Sequence, residues 1–329
     1  MNKTFKNICQ MTQEEVKLYA TTELRKTHND VTVGDGFVFA KGTFPVLLVA
    51  HMDTVHSFTP SIINYDKNKG SLSSPYGIGG DDRCGIYMIL EIVKVFNCSV
   101  LFCEDEESGG IGAKKFIKTD LARELEFNYA IELDRKGSND AVFYDCDNED
   151  FEKFITQEYY ETAWGSFSDI SIVAPFLKCA AVNLSCGYYN AHTAKEYVVI
   201  HEMNESIKEV CKILNRTTEN DKFEYIECQY DNNYGYYGNY DYYYYGAINK
   251  YFGESKNSSN SKTYNASYID DEDDDYTNYY LIEFNDKRGK TDWFETFAVS
   301  EAEAVGRFLM WYPELCYHDI IDIMMDKYM

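Results

Sequence analysis

The stretch 45-PVLLVAHMD-53 decides how this chain folds, because an unbroken apolar run passes directly into a histidine and an aspartate. A continuous apolar run of this length is typical of a β-strand that is covered on both faces. His51 and Asp53 would then stand at the carboxyl end of that strand. In open α/β sheets, ligands bind beyond the carboxyl ends of the strands, so this placement is a first indication of a site.

Strand and helix patterns alternate on either side of this run. Thr12 and Glu15 have the spacing of a capping box at the start of a helix. Alternating apolar residues around Gly34-Asp35-Gly36 predict a hairpin over 31–42. Helices are predicted at 12–28, 83–96, 111–119, 149–161 and 201–216, and further strands at 98–103, 127–134, 141–146 and 179–186. The alternation predicts a three-layer α/β/α domain over residues 1–218, with a largely parallel mixed sheet.

The composition changes after this domain. Residues 219–278 are rich in tyrosine and acidic residues and poor in aliphatic ones, which predicts a flexible low-complexity linker. Residues 279–329 regain a regular pattern, with two strands paired about Lys287-Arg288-Gly289, a helix at 300–312 and a last strand at 318–325. We expect a small α+β module there, whose role the sequence does not reveal.

The charge and the cysteines exclude several classes of protein. The chain has 329 residues, with 55 acidic against 31 basic side chains and a net charge of −24. Such a balance argues against nucleic acid or an anionic membrane as a partner. The ten cysteines include no C-x-x-C pair, and no leader or membrane-length apolar run occurs. We therefore expect a soluble protein of a reducing compartment, the cytoplasm.

Acidic residues and histidines follow several of the predicted strands and one glycine-rich turn. These residues are His51, Asp53, Asp81, Asp82, Glu106, Glu107, Asp134 and His192. Taken singly, Asp81 and Asp82 could cap the next helix, and His192 could be an ordinary loop histidine. Their joint occurrence at one edge of the sheet favours a metal site, since carboxylates and imidazoles are common metal ligands. The nearby His56 is interpreted as a loop histidine without a role.

The order of these motifs resembles a known family, the di-zinc (co-catalytic) aminopeptidases. Its nearest members are peptidase T and the glutamyl aminopeptidase-like metallopeptidases. The matching pieces are 49-VAHMDTV-55, 79-GGDDRCGI-86, 105-DEESGGIGA-113, 130-AIELDR-135 and 190-NAHTAKEYV-198. The resemblance covers roughly residues 1 to 216 and implies a zinc-peptidase-like fold for the first domain.

The resemblance implies a site for two Zn²⁺ ions, with Co²⁺ or Mn²⁺ as alternative metals. His51 and Asp134 would bind the first ion. Glu107 and His192 would bind the second ion, and Asp81 would bridge the two. Two such ions activate a water molecule for attack on an amide bond.

The remaining roles are also implied by the resemblance. Glu106 would be the general base, and Asp53 would fix the imidazole of His51. An alternative alignment would make Asp82 the bridging residue or Glu107 the base. Each of these pairs stands side by side in the sequence, so the motifs alone leave the choice open.

The short stretch between Asp134 and His192 departs from the family. Peptidase T inserts a large dimerisation or lid domain at this point, and this chain has no room for one. In the same stretch, Ser166, Ser168 and Asp169 fall in a turn that family members use near the substrate. Asp169 could instead cap a helix.

The expected activity is that of an aminopeptidase on short peptides. A carboxypeptidase or an N-acyl amino-acid deacylase is the first alternative, because related di-zinc sites serve these reactions and the fold does not settle the substrate. A binding or scaffold protein with an idle metal site is the second alternative. The partner would be a short peptide or an acylated amino acid, and the oligomeric state is left open.

Overall fold

Two units make up the part of the chain that the structure describes. The computed structural model describes residues 3–165, 167–228, 278–285, 290–298 and 320–326. The chain divides into a main unit at residues 1–230 and a second unit at residues 231–329. Each unit is described by itself below.

Eight described strands of the main unit form one mixed sheet in the order β1-β2-β6-β3-β7-β10-β8-β9. They are β1 Asp30–Gly34, β2 Phe37–Lys41, β3 Phe44–His51, β6 Cys98–Cys103, β7 Tyr129–Arg135, β8 Asp140–Val142, β9 Glu161–Thr162 and β10 Ala181–Ser185. The four central strands β6, β3, β7 and β10 are parallel. The outer pairs β1–β2, β2–β6 and β10–β8 are antiparallel. The predicted, largely parallel mixed sheet is confirmed.

A second, smaller sheet has the order β11-β12-β5-β4 and was not predicted. Its strands are β4 Asn64–Asp66, β5 Ser71–Ser73, β11 Tyr188–Tyr189 and β12 Tyr197–Val199. None of them is longer than three residues. Such short strands show no clear alternation of apolar and polar residues, so they leave little signal in the sequence.

Eight described helices surround the main sheet. They are α1 Lys3–Cys9, α2 Gln13–Leu24, α3 Gly80–Ile92, α4 Ile111–Phe116, α5 Asp120–Arg123, α6 Glu149–Ile155, α7 Ile170–Leu177 and α8 Ile200–Arg216. The predicted capping box of α2 is present, because the Thr12 hydroxyl accepts from the Glu15 amide and the Glu15 carboxylate accepts from the Thr12 amide. Together these bonds satisfy two donors that the helix itself leaves unpaired.

Successive side chains of β3 show that the sheet is covered on both faces. Leu48 packs in the cluster that contains Ile86 of α3, whereas Val49 packs in the cluster that contains Phe116 of α4 and Val173 of α7. Neighbouring residues of a strand point to opposite faces, so helices lie on both sides. Each fully buried aliphatic side chain stabilises the fold by about 1.5–3 kcal/mol. The three-layer α/β/α architecture is thus confirmed.

Helix α3 approaches strand β7 closely at Gly85. A Cβ atom at this position would overlap the carbonyl oxygen of Leu133 and would lie 2.5 Å from a carboxylate oxygen of Asp82. Only glycine fits such a backbone approach. This packing brings the first turn of α3 to the carboxyl end of β7.

Several of the predicted boundaries were wrong, including the ends of the helices predicted at 12–28 and 111–119, which lie at Leu24 and Phe116. The strand predicted at 141–146 ends at Val142, because the chain turns at Tyr144, whose φ is 50°. The helix predicted at 149–161 ends at Ile155, since Glu161 and Thr162 pair with β8. The helix predicted at 83–96 covers Gly80–Ile92, so its first turn includes the glycine-rich motif.

The main unit also includes residues that composition placed in the linker. The Phe223 ring packs 5.2 Å from the ring of Phe151, and the Phe223 amide donates to the carbonyl of Asn128. Glu227 makes a β-bridge with Cys146. The described part of the main unit therefore continues to residue 228, beyond the limit predicted at 218.

The described part of the second unit is a three-stranded antiparallel sheet. Its strands are β13 Asn278–Asn285, β14 Thr291–Ala298 and β15 Ile320–Asp326, in the order β14-β13-β15. The predicted strand pair and the predicted last strand are confirmed. The helix predicted at 300–312 and most of the linker predicted at 219–278 lie outside the described residues. No described helix is both long and apolar enough to cross a membrane.

Candidate metal centre

Several elements bring the predicted site residues to one edge of the main sheet. His51 is the last residue of β3, and Asp134 stands next to the end of β7. Glu107 follows the neighbouring strand β6. Asp81 comes from the first turn of α3, and His192 from the loop between β11 and β12. The carboxyl ends of the parallel strands β6, β3 and β7 are adjacent, which explains why these residues converge.

The converging side chains form two groups that share Asp81. In each group the ligand atoms lie within 4.8 Å of one another. His51 Nε2 lies 3.1 Å from Asp81 Oδ1 and 3.4 Å from Asp134 Oδ1. His192 Nε2 lies 3.1 Å from Asp81 Oδ2 and 3.0 Å from Glu107 Oε1. The two carboxylate oxygens of Asp81 thus face two different histidines, as in a residue that bridges two ions.

The contact between Glu107 and His192 is a test of whether these residues fit a metal. Glu107 Oε1 is buried and has no partner with hydrogen-bond geometry in the part of the chain that the structure describes, although His192 Nε2 is only 3.0 Å away. The two atoms are close without the angles of a hydrogen bond. Two ligands of one ion lie close together without a hydrogen bond between them, because each is directed at the metal and not at the other ligand. The donor set, with carboxylate oxygens and imidazole nitrogens, suits zinc.

Asp53 holds both the histidine and the loop that carries the acidic pair. Its Oδ1 lies 3.1 Å from His51 Nδ1 and accepts the backbone N–H of Glu106 at 3.0 Å. Its Oδ2 accepts the backbone N–H of Glu107 at 3.1 Å. A carboxylate on the second ring nitrogen fixes the orientation of the imidazole and leaves Nε2 to face Asp81.

Glu106 lies between the two groups and also forms a group with His51 and Glu107. Burial raises the pKa of the Glu106 carboxyl well above its usual range, and the negative charges of Asp134 and Asp169 add to the increase. A carboxyl group with a raised pKa beside a metal site can exchange a proton near neutral pH.

Asp82 has a different environment from that of Asp81. Its side chain is fully buried and accepts the backbone N–H of Gly85 at 2.8 Å and that of His51 at 3.2 Å. It belongs to neither ligand group. The peptide bond between Asp81 and Asp82 is cis. The geometry therefore favours Asp81 over Asp82 as the bridging residue.

Asp134 is held by a set of partners that the sequence did not reveal. The Ser168 hydroxyl donates to Asp134 Oδ2 at 3.1 Å, and the Tyr188 hydroxyl lies 3.3 Å from Oδ1. The Asp134 amide donates to Asn183 Oδ1 at 2.9 Å. Ser168, predicted near the substrate, thus contacts a candidate ligand. Ser166, predicted in the same turn, lies outside the described residues.

Asp169 occupies the cap position of α7, but its side chain makes no cap hydrogen bond. Among the described residues, neither of its carboxylate oxygens has a hydrogen-bond partner, and the side chain is fully buried. Burial raises the pKa of Asp169 to about 7. The interpretation of Asp169 as a helix cap is therefore wrong.

Glu196 and His56 were missed as parts of the site. Glu196 is fully buried and accepts the backbone N–H groups of Gly79 and Asp81. His56 Nε2 lies 2.8 Å from Glu196 Oε2, so this histidine is not an ordinary loop residue. Glu196 follows His192 by four positions, but a glutamate beside a lysine in a loop is usually exposed. Its contacts with residues distant in sequence distinguish Glu196 from an exposed loop glutamate.

The acidic surroundings shift the titration of both histidines. Burial alone would lower the pKa of His192, but contacts with the Asp81 and Glu107 carboxylates outweigh it and raise the pKa to about 11. Burial of His51 is outweighed in the same way by Asp134 and Asp53, which raise its pKa well above the usual range. Burial also raises the pKa of Asp134, to about 6. The carboxylates of the site therefore favour the positively charged form of both histidines.

Comparison with known proteins supports the same fold. No protein-family model and no curated sequence matches the chain. Among solved structures, aminopeptidase PepT from Bacillus cereus aligns with a TM-score of 0.51 at 15% identity, covering 64% of this chain and 96% of that one. The chain has the fold of this aminopeptidase.

Two further structures give the same result. A tripeptidase from Staphylococcus aureus aligns with a TM-score of 0.52 at 15% identity, over 64% of this chain and 96% of that one. A TET aminopeptidase from a marine sediment Thaumarchaeota archaeon aligns with a TM-score of 0.51 at 13% identity, over 66% of this chain and 97% of that one. The resemblance predicted from the sequence is confirmed for the fold, and identities this low leave the activity to be argued from the site.

Proposed function

We propose that the chain is a two-zinc aminopeptidase that removes residues from the amino end of short peptides. The observation that carries the proposal is the position of Asp81, whose two carboxylate oxygens each lie 3.1 Å from a different candidate ligand histidine. His51 and Asp134 would complete one metal site. Glu107 and His192 would complete the other.

The charges of the site support two divalent ions. Three ligand carboxylates, those of Asp81, Glu107 and Asp134, would offset three of the four positive charges that two such ions bring. Burial and neighbouring acids raise the pKa of Glu107 and that of Asp134 in the protein alone. Cations at the centre would reverse this effect, because a nearby positive charge favours the ionised carboxylate.

Two zinc ions bound there would lower the pKa of a water molecule to about 7 and polarise the peptide carbonyl. Glu106 would take the proton of the attacking water and pass it to the leaving amine. The backbone of Glu106 is held by Asp53, which also orients His51. Asp53 would therefore fix the position of the base Glu106 relative to the ligand His51.

An aminopeptidase is favoured over the carboxypeptidase and deacylase alternatives by the solved structures that share the fold, which include a PepT, a tripeptidase and a TET aminopeptidase. The scaffold alternative has no specific support, because the site retains a glutamate in the position of a base. Cobalt or manganese would fit the same ligands. A peptide partner, no nucleic-acid partner and a place in the cytoplasm remain part of the proposal.

A peptide panel tests the proposal. The purified protein, loaded with ZnCl₂, should hydrolyse di- and tripeptides with a free amino end and leave their N-acetylated counterparts intact. Amino-acid analysis of the products identifies the bond that is cut. Cleavage of the acetylated peptides alone would favour the deacylase alternative. No hydrolysis of either set by protein that holds two ions would favour the scaffold alternative.

Zinc binding should release protons, because the histidines are charged in the metal-free protein. The pKa of His192 is raised to about 11 and that of His51 well above 6.5, so both imidazoles carry a proton at neutral pH. Zinc binds the neutral imidazole. We expect at least two protons released at pH 7, one from each histidine, and a zinc affinity that increases as the pH rises.

Titration calorimetry in buffers of different ionisation enthalpy measures this proton release. Zinc uptake without proton release at pH 7 would mean that the two histidines do not both coordinate the metal. His192→Gln should release fewer protons than the unmodified protein, whereas the exposed His201→Gln serves as a control and should leave the number unchanged.

A further inference from the structure

Glu196 joins three loops at the metal centre, although it is not a ligand. Its side chain is fully buried in the loop that follows His192. Oε2 accepts the Gly79 amide at 2.7 Å, and Oε1 accepts the Asp81 amide at 3.0 Å. His56 Nε2 lies 2.8 Å from Oε2. One carboxylate therefore connects the loop after β3, the first turn of α3 and the loop that carries His192.

The first turn of α3 needs such an acceptor from elsewhere in the chain. Its cap residue is Gly79, which has no side chain to accept the free amides of the turn. Asp81 departs from helical geometry, with φ −82° and ψ 104°. The orphan N–H groups of a helix start require acceptors, and a negative charge there is favoured by the helix dipole. The Glu196 carboxylate supplies both the acceptor oxygens and the negative charge.

The packing around this carboxylate leaves little freedom. A Cβ atom at Gly80 would lie 3.3 Å from Glu196 Oε1 and 2.7 Å from a Val198 methyl group. A Cβ atom at Gly77 would overlap the His56 ring. Glu196 and His56 therefore pack directly against the backbone of the glycine-rich turn that leads to Asp81.

We infer that Glu196 is a positioning residue that fixes Asp81 relative to His192 and thereby sets the affinity of both metal sites. The inference rests on the proposed two-metal function. Asp81 belongs to both candidate ligand groups. A displacement of its backbone would therefore lower the metal affinity of both sites. Glu196 itself accepts the Asp81 amide and belongs to none of the candidate ligand groups.

Zinc affinity of the Glu196→Gln variant tests the inference. Glutamine keeps the shape but replaces one acceptor oxygen by an NH₂ group, which cannot accept an amide N–H. EDTA-treated protein is titrated with ZnCl₂ against a competing chelator. We expect an affinity loss of about 10–100-fold at both sites, the usual effect of removing a group that orients a metal ligand. Glu209→Gln is the matched control, because Glu209 is a buried glutamate on α8 that pairs with Lys212, and it should keep the affinity.

Circular dichroism of the metal-free variants shows whether each variant is folded, so that a loss of metal affinity can be distinguished from a loss of folding. A folded Glu196→Gln that binds two ions with unchanged affinity overturns the inference. If Glu196→Gln does not fold, His56→Gln carries the test, since it removes a single bond to Glu196, and we expect about a threefold loss of affinity. Unchanged affinity in His56→Gln would then mean that Glu196 serves folding only. Unmodified protein that binds no zinc would instead refute the proposed function.

Discussion

Replacing Glu106 by glutamine should lower kcat for a tripeptide by about 10²–10⁴-fold, the contribution of a general base. Glutamine keeps the size of the side chain but cannot take a proton from water. The zinc content should stay at about two ions per chain, because Glu106 is not needed to complete either of the groups that share Asp81. KM should change little, since the substrate is bound by other groups. Steady-state kinetics gives kcat and KM, and metal analysis of the same preparation gives the zinc content.

The same variant decides between Glu106 and Glu107 as the base. Both glutamates belong to one further group with His51, so Glu106 is also close enough to be a ligand. A Glu106→Gln protein that loses one zinc ion would identify Glu106 as a ligand and leave Glu107 as the candidate base. Full activity would refute the mechanism. Glu104→Gln is the matched control, because Glu104 lies in the same turn but pairs with Lys17.

The edge of the sheet at which the site forms could be predicted from the sequence. The apolar run that ends at His51 is continuous, which is the signature of a buried parallel strand, whereas the run before Asp134 is interrupted by the buried Glu132. Parallel strands place their carboxyl ends on one edge, so the candidate ligands were expected to meet.

The choice between adjacent residues could not be predicted in the same way. Asp81 and Asp82 are chemically identical neighbours, and their roles differ only because the backbone of the turn points one toward His192 and the other toward the amides of His51 and Gly85. The backbone angles of this turn depart from those of a helix, which no periodicity in the sequence indicates.

Residues that support the site were missed because their partners are distant in sequence. Glu196 is more than a hundred positions away from Gly79 and Asp81, whose amides it accepts. A local pattern cannot reveal such a pairing. An ionised carboxylate is costly to bury without hydrogen bonds, so the burial of Glu196 becomes informative once its partners in the fold are known.

Asp81→Asn should remove both metal ions, whereas a change at a ligand of one group should remove a single ion. Asp81 contributes to both groups, while Asp134 and Glu107 belong to different ones. Among the residues that could be changed, Asp81 is therefore expected to have the largest effect on metal content. We expect well under one zinc ion per chain for Asp81→Asn and about one for Asp134→Asn or for Glu107→Gln, against about two for the unmodified protein.

Metal analysis after gel filtration in zinc-containing buffer gives these values, and hydrolysis of a tripeptide should fall below detection for Asp81→Asn. Asp140→Asn is the control, because Asp140 follows the same strand end but pairs with Arg135 outside both groups. If Asp81→Asn retained one ion, Asp81 would belong to a single site. If it lost the same amount of metal as Asp134→Asn, the two ions would not share a carboxylate, and a mechanism that needs a shared bridging ligand would be wrong.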